Sequence, residues 1–277
     1  MTTHLLTFDI EHWYESWRIR GLSFDKNLAD CDTPCVFRLL DLLDEKNQKA
    51  TFFFTSNFAR EFPLALKECV ARGHEAASHS RDHTLLTNFR DSEAFRENLS
   101  SSLQHIEQVC GVRPIGFRAP KWSLTPEHAR DFLTVMVEEG LKYDSSVFPG
   151  HLPNFPEKPC KITTPAGKIR EIPASALHIG PIAAPVGGAW FRIFPLAVTS
   201  AMFAQKEKAG EPGIFYAHPY DLNPATHCPK GTPAKLRLMR RVNVQGAWKK
   251  LDKLLDQFKF TSIRNWLDTA GLPEISL

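Results

Sequence analysis

The sequence has no apolar run that approaches the ~20 residues a membrane-spanning helix needs. It also lacks the features of a secretory signal: Met1–Asp9 contains no lysine or arginine, and Asp9 interrupts the first apolar run. We therefore expect a cytoplasmic protein with no integral membrane segment.

Excess charge of one sign is missing as well. Lys and Arg number 34 against 31 Asp and Glu, a formal net charge of +3, whereas dedicated nucleic-acid binders usually carry a strong basic excess. The most basic local segment, Lys235–Arg241, is typical of a solvated helix face. We expect no nucleic-acid partner, and no sequence pattern indicates an oligomeric state.

Paired cysteine motifs are absent too. Six cysteines are scattered along the chain, and the Cys31-x3-Cys35 pair has no second pair at zinc-finger spacing. We expect reduced thiols, mostly buried.

Short apolar runs alternate with amphipathic segments along the whole sequence, which predicts an α/β fold on a parallel sheet. Helices are predicted over about 33–43, Pro63–Arg72, Ser92–Cys110, Pro126–Glu139, Pro195–Ala209 and Lys235–Phe258. Strands are predicted at Leu5–Phe8, Ala50–Phe54, His74–Ser78, Ile115–Phe117, Tyr143 and Gly213–Ala217. The number of such units favours a barrel, and 277 residues fit one large domain.

Polar side chains stand where several predicted strands end: Asp9, His79, Arg118 and His218. The carboxyl ends of the strands in a parallel α/β barrel meet at one rim, where the sites of these folds lie. We therefore expect these distant positions to converge on one site.

Two short motifs at that rim suggest metal chemistry. His79 and His83 are four residues apart and, on a helix, would face one Zn²⁺-like ion together, although such pairs are also common at surfaces and caps. Asp9 and Glu11 point to the same side of an extended segment, so one carboxylate can bind metal while the other handles protons. A solvated pair of loop acids is the alternative.

Three further residues suggest proton chemistry. Arg118 can hold a carboxylate in a bidentate pair and keep it ionised. Asp144 supplies another acid, and His218 follows the last apolar strand. A histidine there is more often structural, but with an acidic partner and a metal site nearby it becomes a candidate proton donor.

The chain resembles the polysaccharide deacetylases (carbohydrate esterase family 4, the NodB-homology domain) in an ordered set of motifs: Thr7-Phe8-Asp9, His79-Ser80-x-x-His83, Arg118-x-Pro120, Asp144 and His218. The His-Ser-x-x-His block is the most specific of them. Three stretches resemble the branch found in exopolysaccharide and surface-glycan gene clusters: Tyr143–Pro149, Gly187–Arg192 and His218–Leu222.

The resemblance implies a distorted (β/α)7 barrel and metal-dependent removal of an N-acetyl group from an amino sugar. It assigns Asp9 as catalytic base, Arg118 as the partner of that base, His218 as general acid and Asp144 as the residue that orients His218. It also assigns His79 and His83 as ligands of a divalent metal, most often Zn²⁺.

The third ligand departs from the family pattern, in which a second Asp follows the first. Ile10 occupies that position here, so Glu11 is the nearest replacement. The reverse assignment, with Asp9 on the metal and Glu11 as base, stays open at this point.

Prolines cluster in 149–194 and 219–234, beside the motifs at Asp144 and His218. We interpret 149–194 as a loop-rich insertion in a single domain, 1–277, that ends in a helical segment at about 235–271. These loops are expected to select the substrate, and the candidate sugar-binding residues are Pro120, Trp122, Trp190 and Phe191.

A cytoplasmic enzyme does not meet finished cell-wall polymer. The expected substrate is therefore an N-acetylated amino sugar that is lipid-linked, nucleotide-linked or part of an oligosaccharide. Two alternatives stay open: a C–N hydrolase acting on a small amide, and a non-catalytic glycan-binding domain that has kept the fold.

Overall fold

A computed structural model of the chain describes residues 2–25, 30–149, 157–179, 182–268 and 271–276. Its strands are β1 (His4–Ile10), β2 (Thr51–Phe54), β3 (Glu75–Ser78), β4 (Gly116–Phe117), β5 (Tyr143–Asp144), β6 (Cys160–Thr164), β7 (Gly167–Glu171), β8 (Ala176–Ile179), β9 (Ile182–Pro185), β10 (Ile214–Ala217), β11 (Phe260–Thr261) and β12 (Glu274–Ser276). Its helices are α1 (Glu15–Arg18), α2 (Thr33–Glu45), α3 (Ser56–Glu61), α4 (Pro63–Ala71), α5 (Ser92–Cys110), α6 (Pro126–Glu138), α7 (Gly188–Ile193), α8 (Leu196–Lys208), α9 (Pro219–Leu222), α10 (Ala234–Arg241), α11 (Val244–Gln257) and α12 (Ile263–Leu267). None of the helices in these ranges is long and apolar enough to cross a membrane.

The main sheet has the strand order β10-β1-β2-β3-β4-β5-β7-β6-β12, with β11 also paired to β1. Its described ladders are parallel except for β6 with β7. Phe8 of β1 stands opposite Ala217 of β10 and Phe52 of β2, so the carboxyl ends of these strands lie side by side. The predicted α/β fold with a parallel sheet is confirmed, and so is the predicted convergence of the strand ends.

The strands nearest the site carry apolar side chains on both faces. Helices pack against one face, and α12 with further strands covers the opposite face. Phe8, Phe52 and Phe54 belong to one core cluster. The predicted apolar face of α2 packs in the same cluster through Val36, Leu39, Leu40 and Leu43. Leu5 and Phe53 point to the opposite face, where Ile263 of α12 packs. Burial on both faces is the usual condition of a parallel sheet, and it holds β1 and β2 rigidly.

Most predicted helices appear within a few residues of their expected ends. Helix α5 begins after Asp91, whose carboxylate accepts a hydrogen bond from the backbone N–H of Ala94 at 2.8 Å. It ends at Gly111, which adopts φ +74°, a left-handed conformation that glycine reaches without steric cost. Both end signals lie next to the helix in the sequence. The predicted helix Ser92–Cys110 is confirmed.

The predicted loop-rich character of 149–194 is wrong for the described part of that segment. It contains two antiparallel hairpins, β6–β7 and β8–β9, and the short helix α7. Residues 150–156 and 180–181, including Pro153, Pro156 and Pro181, lie outside the described residues. Short hairpins whose strands lie in different sheets leave no long periodic pattern, which is why they were missed.

The predicted single helix Lys235–Phe258 is also wrong, because α10 and α11 are separate helices. They are divided at Asn243, which adopts a left-handed φ of +45°. The strand β11 and the helix α12 then follow within the segment expected to be helical. The assignment of the whole chain to one domain stays a prediction.

The cysteines are free thiols, as predicted. Their expected burial is largely wrong, since Cys69 and Cys160 are buried and the other cysteines are partly exposed.

Candidate active site

Glu11, His79 and His83 form a buried cluster at the carboxyl ends of β1 and β3. One ligand atom from each residue lies within 4.8 Å of the other two. Ser80 and His83 adopt left-handed φ values of +70° and +57°, so the segment from His79 to His83 is a tight turn and not the helix on which the sequence argument relied. The turn still brings the two imidazoles together, with ring centroids 5.1 Å apart.

The cluster's hydrogen bonds leave the right atoms free for a divalent ion. Nδ1 of His79 donates to the carbonyl of Arg118 at 2.8 Å, which directs the Nε2 lone pair toward Glu11. Oε2 of Glu11 is buried, accepts no hydrogen bond, and faces Nε2 of both histidines, 3.8 Å away in His79. Two imidazole nitrogens and one carboxylate oxygen are a donor set typical of catalytic zinc, and the residues present therefore fit such an ion.

Electrostatics favour the ligand-competent forms of these groups. Burial lowers the pKa of His79 to about 4, so the ring is neutral at neutral pH. Burial alone would raise the pKa of Glu11, but His83, together with His218 and His79, more than offsets this and lowers the pKa below its ordinary value. The hydroxyl of Tyr220 donates to Oε1 of Glu11 at 3.1 Å and orients the carboxylate. Deprotonated groups already held in place lower the cost of binding a metal.

Asp9 is paired with Arg118, as predicted. Nη1 of Arg118 donates to Oδ1 of Asp9 at 2.8 Å and to the hydroxyl of Thr7 at 2.9 Å. The guanidinium lies over the ring of Phe53 at 4.2 Å, and Nη2 donates to Ser145. Burial would raise the pKa of Asp9, but the charge of Arg118 outweighs it, helped by the nearby histidines, and the pKa falls. Asp9 is therefore an ionised, buried carboxylate.

His218 lies directly after β10, with Nε2 at 3.9 Å from Oδ2 of Asp9. Its Nδ1 is 2.9 Å from Oδ2 of Asp221, and Nη2 of Arg192 donates to the other oxygen of Asp221 at 2.9 Å. Burial disfavours the charged ring, but the hydrogen bond and charge of Asp221 dominate and raise the pKa of His218. The ring can therefore hold a proton on the nitrogen that faces Asp9.

These groups line one cavity of about 250 Å³. Its wall contains Asp9, Glu11, His79, His83 and His218 together with Trp122, Tyr216, Tyr220, Lys121 and Arg20. A base, an acid and a metal site thus face a common space large enough for an acetamido group and part of a sugar ring.

Residues 17–143 match the family described as polysaccharide deacetylase. The resemblance to the polysaccharide deacetylases that the sequence motifs predicted is thus confirmed over these residues. Residues 145–268 match a domain of unknown function, DUF3473.

Among curated relatives, the chitooligosaccharide deacetylase of Azorhizobium caulinodans is 29% identical over an alignment that covers 38% of this chain and 58% of the relative. The peptidoglycan-N-acetylglucosamine deacetylase PgdA of Listeria monocytogenes is 31% identical over 40% of this chain and 23% of its own length. The match thus spans little more than half of the first relative and about a quarter of the second.

Solved structures of the family share the fold. A putative polysaccharide deacetylase from Mycobacterium smegmatis superposes with a TM-score of 0.65 at 19% identity, covering 100% of this chain and 94% of that one. A family 4 pseudoenzyme from Bacillus anthracis, BA3943, gives a TM-score of 0.55 at 15% identity, covering 100% and 69%. At this level of identity the likeness establishes the fold alone.

Asp144 is a correction to the predicted site, because it does not orient His218. Its Oδ1 accepts a hydrogen bond from Ser146 at 2.5 Å, and its carboxyl lies beside that of Glu171, its partner across β5 and β7. Burial raises the pKa of both carboxyls, most strongly that of Glu171, so the pair shares a proton. Ser146 in turn accepts from the backbone N–H of Ala119 at 2.8 Å, so this pair supports the loop after Arg118.

Asp221 occupies the position relative to His218 that was expected of Asp144. Asp221 lies within the His218–Leu222 stretch, and the sequence motifs predict no catalytic role for Asp221 itself. A usable signal was present, since an acid three residues after a histidine at a Pro-started helix can bond both the backbone and the ring of that histidine. The carboxylate of Asp221 accepts from the backbone N–H of His218 at 3.0 Å, as that pattern requires.

The predicted sugar-binding residues divide into one that lines the cavity and three that do not. Trp122 lines it and packs edge-on against Tyr216 at 4.7 Å. Phe191 is buried against Phe215 in the core, Trp190 stacks on Phe194 at 5.4 Å beside a separate small cavity, and Pro120 is buried in its turn. The expectation that Trp190, Phe191 and Pro120 face the substrate is therefore wrong, because packing and not sequence proximity decides which side chains remain available.

The cavity walls also come from unexpected segments. Ser16, Ile19 and Arg20 stand after β1, while Lys121 follows β4. Tyr216 and Tyr220 flank His218, and Tyr220 is the cavity-lining residue that falls in the predicted loop 219–234. Described residues of 149–194 reach a neighbouring cavity through Gly188, Ala189 and Arg192.

Proposed function

We propose that this protein is a metal-dependent deacetylase that hydrolyses the N-acetyl group of an amino sugar and releases acetate. One observation carries the proposal: the Glu11, His79 and His83 cluster shares a cavity with Asp9, which is paired with Arg118, and with His218, which is paired with Asp221. Two relatives are named as a chitooligosaccharide deacetylase and a peptidoglycan-N-acetylglucosamine deacetylase, and these names support the same chemistry.

Glu11, His79 and His83 would hold the divalent ion, with Zn²⁺ the best match to the donor set. When bound, such an ion polarises a carbonyl and lowers the pKa of water toward neutrality. The contacts support Glu11 as the ligand in place of Asp9, because Oδ1 of Asp9 is engaged by Arg118 while Oε2 of Glu11 is buried without a donor.

Asp9 would act as the general base. Arg118 holds it ionised in a buried position, so it accepts a proton from the attacking water without first losing one of its own. The bond from Thr7 to the backbone of β10 and the bonds from Arg118 to Asp9 and Thr7 fix this carboxylate in one orientation.

His218 would act as the general acid. An amide nitrogen leaves only when protonated, and Asp221 holds the ring so that Nε2 presents a proton to the cavity. Arg192 keeps Asp221 ionised, which maintains the raised pKa of His218.

The proposed activity is tested by measuring acetate release from N-acetylglucosamine oligomers with zinc-loaded protein, before and after treatment with a chelator. We expect release that the chelator abolishes and zinc restores. No release from any N-acetylated sugar would refute the proposal, and release from a panel of small amides alone would identify a different C–N hydrolase.

From the sequence alone we also propose that the enzyme works in the cytoplasm on a nascent glycan precursor carried by a lipid or a nucleotide. Fractionation of cells producing the protein tests the location. Activity confined to long extracellular polymer would contradict the proposed substrate.

A further inference from the structure

Two exposed cationic side chains from different segments of the chain line the candidate active-site cavity. Arg20 stands just after α1, and Lys121 lies in the short turn that follows β4. Both side chains are solvent-exposed, and both line the cavity that contains the Glu11, His79 and His83 cluster.

Neither cation has a carboxylate partner among the ion pairs of the described residues. The guanidinium of Arg20 donates to the carbonyl of Ser16, and the ammonium of Lys121 has no hydrogen-bond acceptor among the residues that the structure describes. Burial and the charge of Arg20 lower the pKa of Lys121, while the charge of Glu11 acts in the opposite direction. The two positive groups therefore repel one another across the cavity.

The acids around the cavity are already engaged. Asp9 is paired with Arg118, Asp221 with His218 and Arg192, and Glu11 belongs to the metal cluster. Once a divalent cation occupies that cluster, the charge of Glu11 is balanced as well. The charges of Arg20 and Lys121 are then not neutralised by an acidic side chain among the described residues that line the cavity.

The backbone holds Lys121 in an unusual conformation. Lys121 and Trp122 adopt φ values of +54° and +50°, a left-handed region that residues with side chains seldom occupy. Consecutive residues of this kind persist only where the surrounding structure holds them, and they are concentrated at functional sites. Here the turn places both side chains on the cavity wall.

Space for a second substrate group exists beside the cavity that contains the Glu11, His79 and His83 cluster. A neighbouring cavity of about 190 Å³ shares Ser16, Arg20, Tyr216, His218 and Tyr220 with the first. Arg20 thus borders both spaces.

We propose that Arg20 and Lys121 form an anion-binding subsite, and that the preferred N-acetyl sugar carries a negatively charged group, a carboxylate or a phosphate, next to the acetamide. This inference rests on the proposed deacetylase function, which it makes more specific. Guanidinium and ammonium groups recognise both anions, so the source of the charge has to be separated by experiment.

The test compares a neutral N-acetylglucosamine oligosaccharide with two anionic substrates, one with an adjoining uronic acid and one with a nucleotide diphosphate. We expect kcat/KM for at least one anionic substrate to exceed that for the neutral one by about tenfold at low salt, the size of one charge-assisted hydrogen bond. The Arg20→Ala, Lys121→Ala double variant should lose this preference. The anionic substrate whose kcat/KM falls in the double variant identifies whether the recognised group is a carboxylate or a phosphate.

A matched control removes an arginine and a lysine elsewhere. Arg130 and Lys142 are exposed, and neither lines these two cavities, so Arg130→Ala, Lys142→Ala should retain the preference. Equal or better activity on the neutral substrate, or a preference that survives in the Arg20 and Lys121 double variant, would overturn the subsite.

Failure of the deacetylase proposal would appear differently, as absence of acetate from every substrate. In that event binding decides the subsite: inorganic phosphate and glucuronic acid are titrated into the His79→Ala variant with and without the double substitution. A loss of affinity of about tenfold supports the subsite, and unchanged affinity, or no binding of either probe before the double substitution, refutes it.

Discussion

Nδ1 of His218 lies 2.9 Å from Oδ2 of Asp221, and the opposite oxygen of that carboxylate accepts a bond from Nη2 of Arg192 at 2.9 Å. The three buried or nearly buried groups form a line that ends at the ring nitrogen facing Asp9. The acid that raises the pKa of His218 is therefore Asp221, three residues further along the chain. Asp144 instead bonds Ser146, which supports the loop at Ala119.

Replacing Asp221 with Asn should shift the pH profile of kcat/KM. A general acid must be protonated, so activity falls as pH rises through the pKa of His218. Asp221 raises that pKa, and its removal should move the alkaline limb to lower pH and reduce the rate by about 10²–10⁴-fold. The profile is measured on zinc-loaded protein.

The matched control is Asp144→Asn, which should leave the alkaline limb in place, since Asp144 bonds Ser146 and not His218. A shift in the Asp144 variant without one in the Asp221 variant would reverse the assignment.

Metal content should distinguish the two acids at the carboxyl end of β1, Asp9 and Glu11. His79→Ala and Glu11→Gln should each lose bound zinc and activity together, because each removes a donor from the cluster. Asp9→Asn should keep the metal and lose most turnover. Zinc is measured by elemental analysis after dialysis. An empty site in Asp9→Asn together with a full site in Glu11→Gln would show that the two carboxylates exchange tasks.

Arg118→Met should destabilise the protein and impair the base. It leaves a buried carboxylate without its cation, a loss that typically costs about 3–5 kcal/mol in the free energy of unfolding. Because the pKa of Asp9 is lowered in the folded state, its contribution is present above its ordinary value of 3.8 and is lost as pH falls through the lowered value. The loss of stability should therefore be large at pH 7 and smaller in acid.

Urea denaturation at several pH values measures this effect. Arg90→Ala serves as the control, because that side chain is 85% exposed and its removal should leave the free energy of unfolding nearly unchanged. Equal effects of Arg118→Met at pH 7 and in acid would contradict the electrostatic explanation.

Two aromatic residues should respond in opposite ways. Phe191→Ala should lower the free energy of unfolding by about 3–5 kcal/mol, since it empties a core position against Phe215, and should leave relative rates on different sugars unchanged. Trp122→Ala should mainly lower kcat/KM, because its ring lines the cavity. Denaturation curves and kinetics on one set of substrates measure both. A change of substrate preference in the Phe191 variant would show that this ring reaches the sugar after all.

The sequence by itself determined the strands that carry the site, most of the main helices and the grouping of His79 and His83 with the acids of β1. Each rests on information carried within a few residues: an apolar run, a capping acid, a terminal glycine, or histidines and acids placed where a parallel strand ends. That strands of one sheet meet at a common edge is general, so the convergence of Asp9, His79, Arg118 and His218 could be predicted without knowing any distance.

Only the tertiary structure decided which acid serves His218 and which aromatic rings remain exposed to the cavity. Both depend on packing between segments far apart in sequence: Phe191 is drawn into the core by Phe215, and Asp144 is directed to Glu171 by the pairing of β5 with β7. The tertiary structure also places Arg20 and Lys121 on the wall of one cavity, because the loops after different strands lie at the same rim. Local pattern places a residue on an element, whereas the meeting of elements decides what its side chain touches.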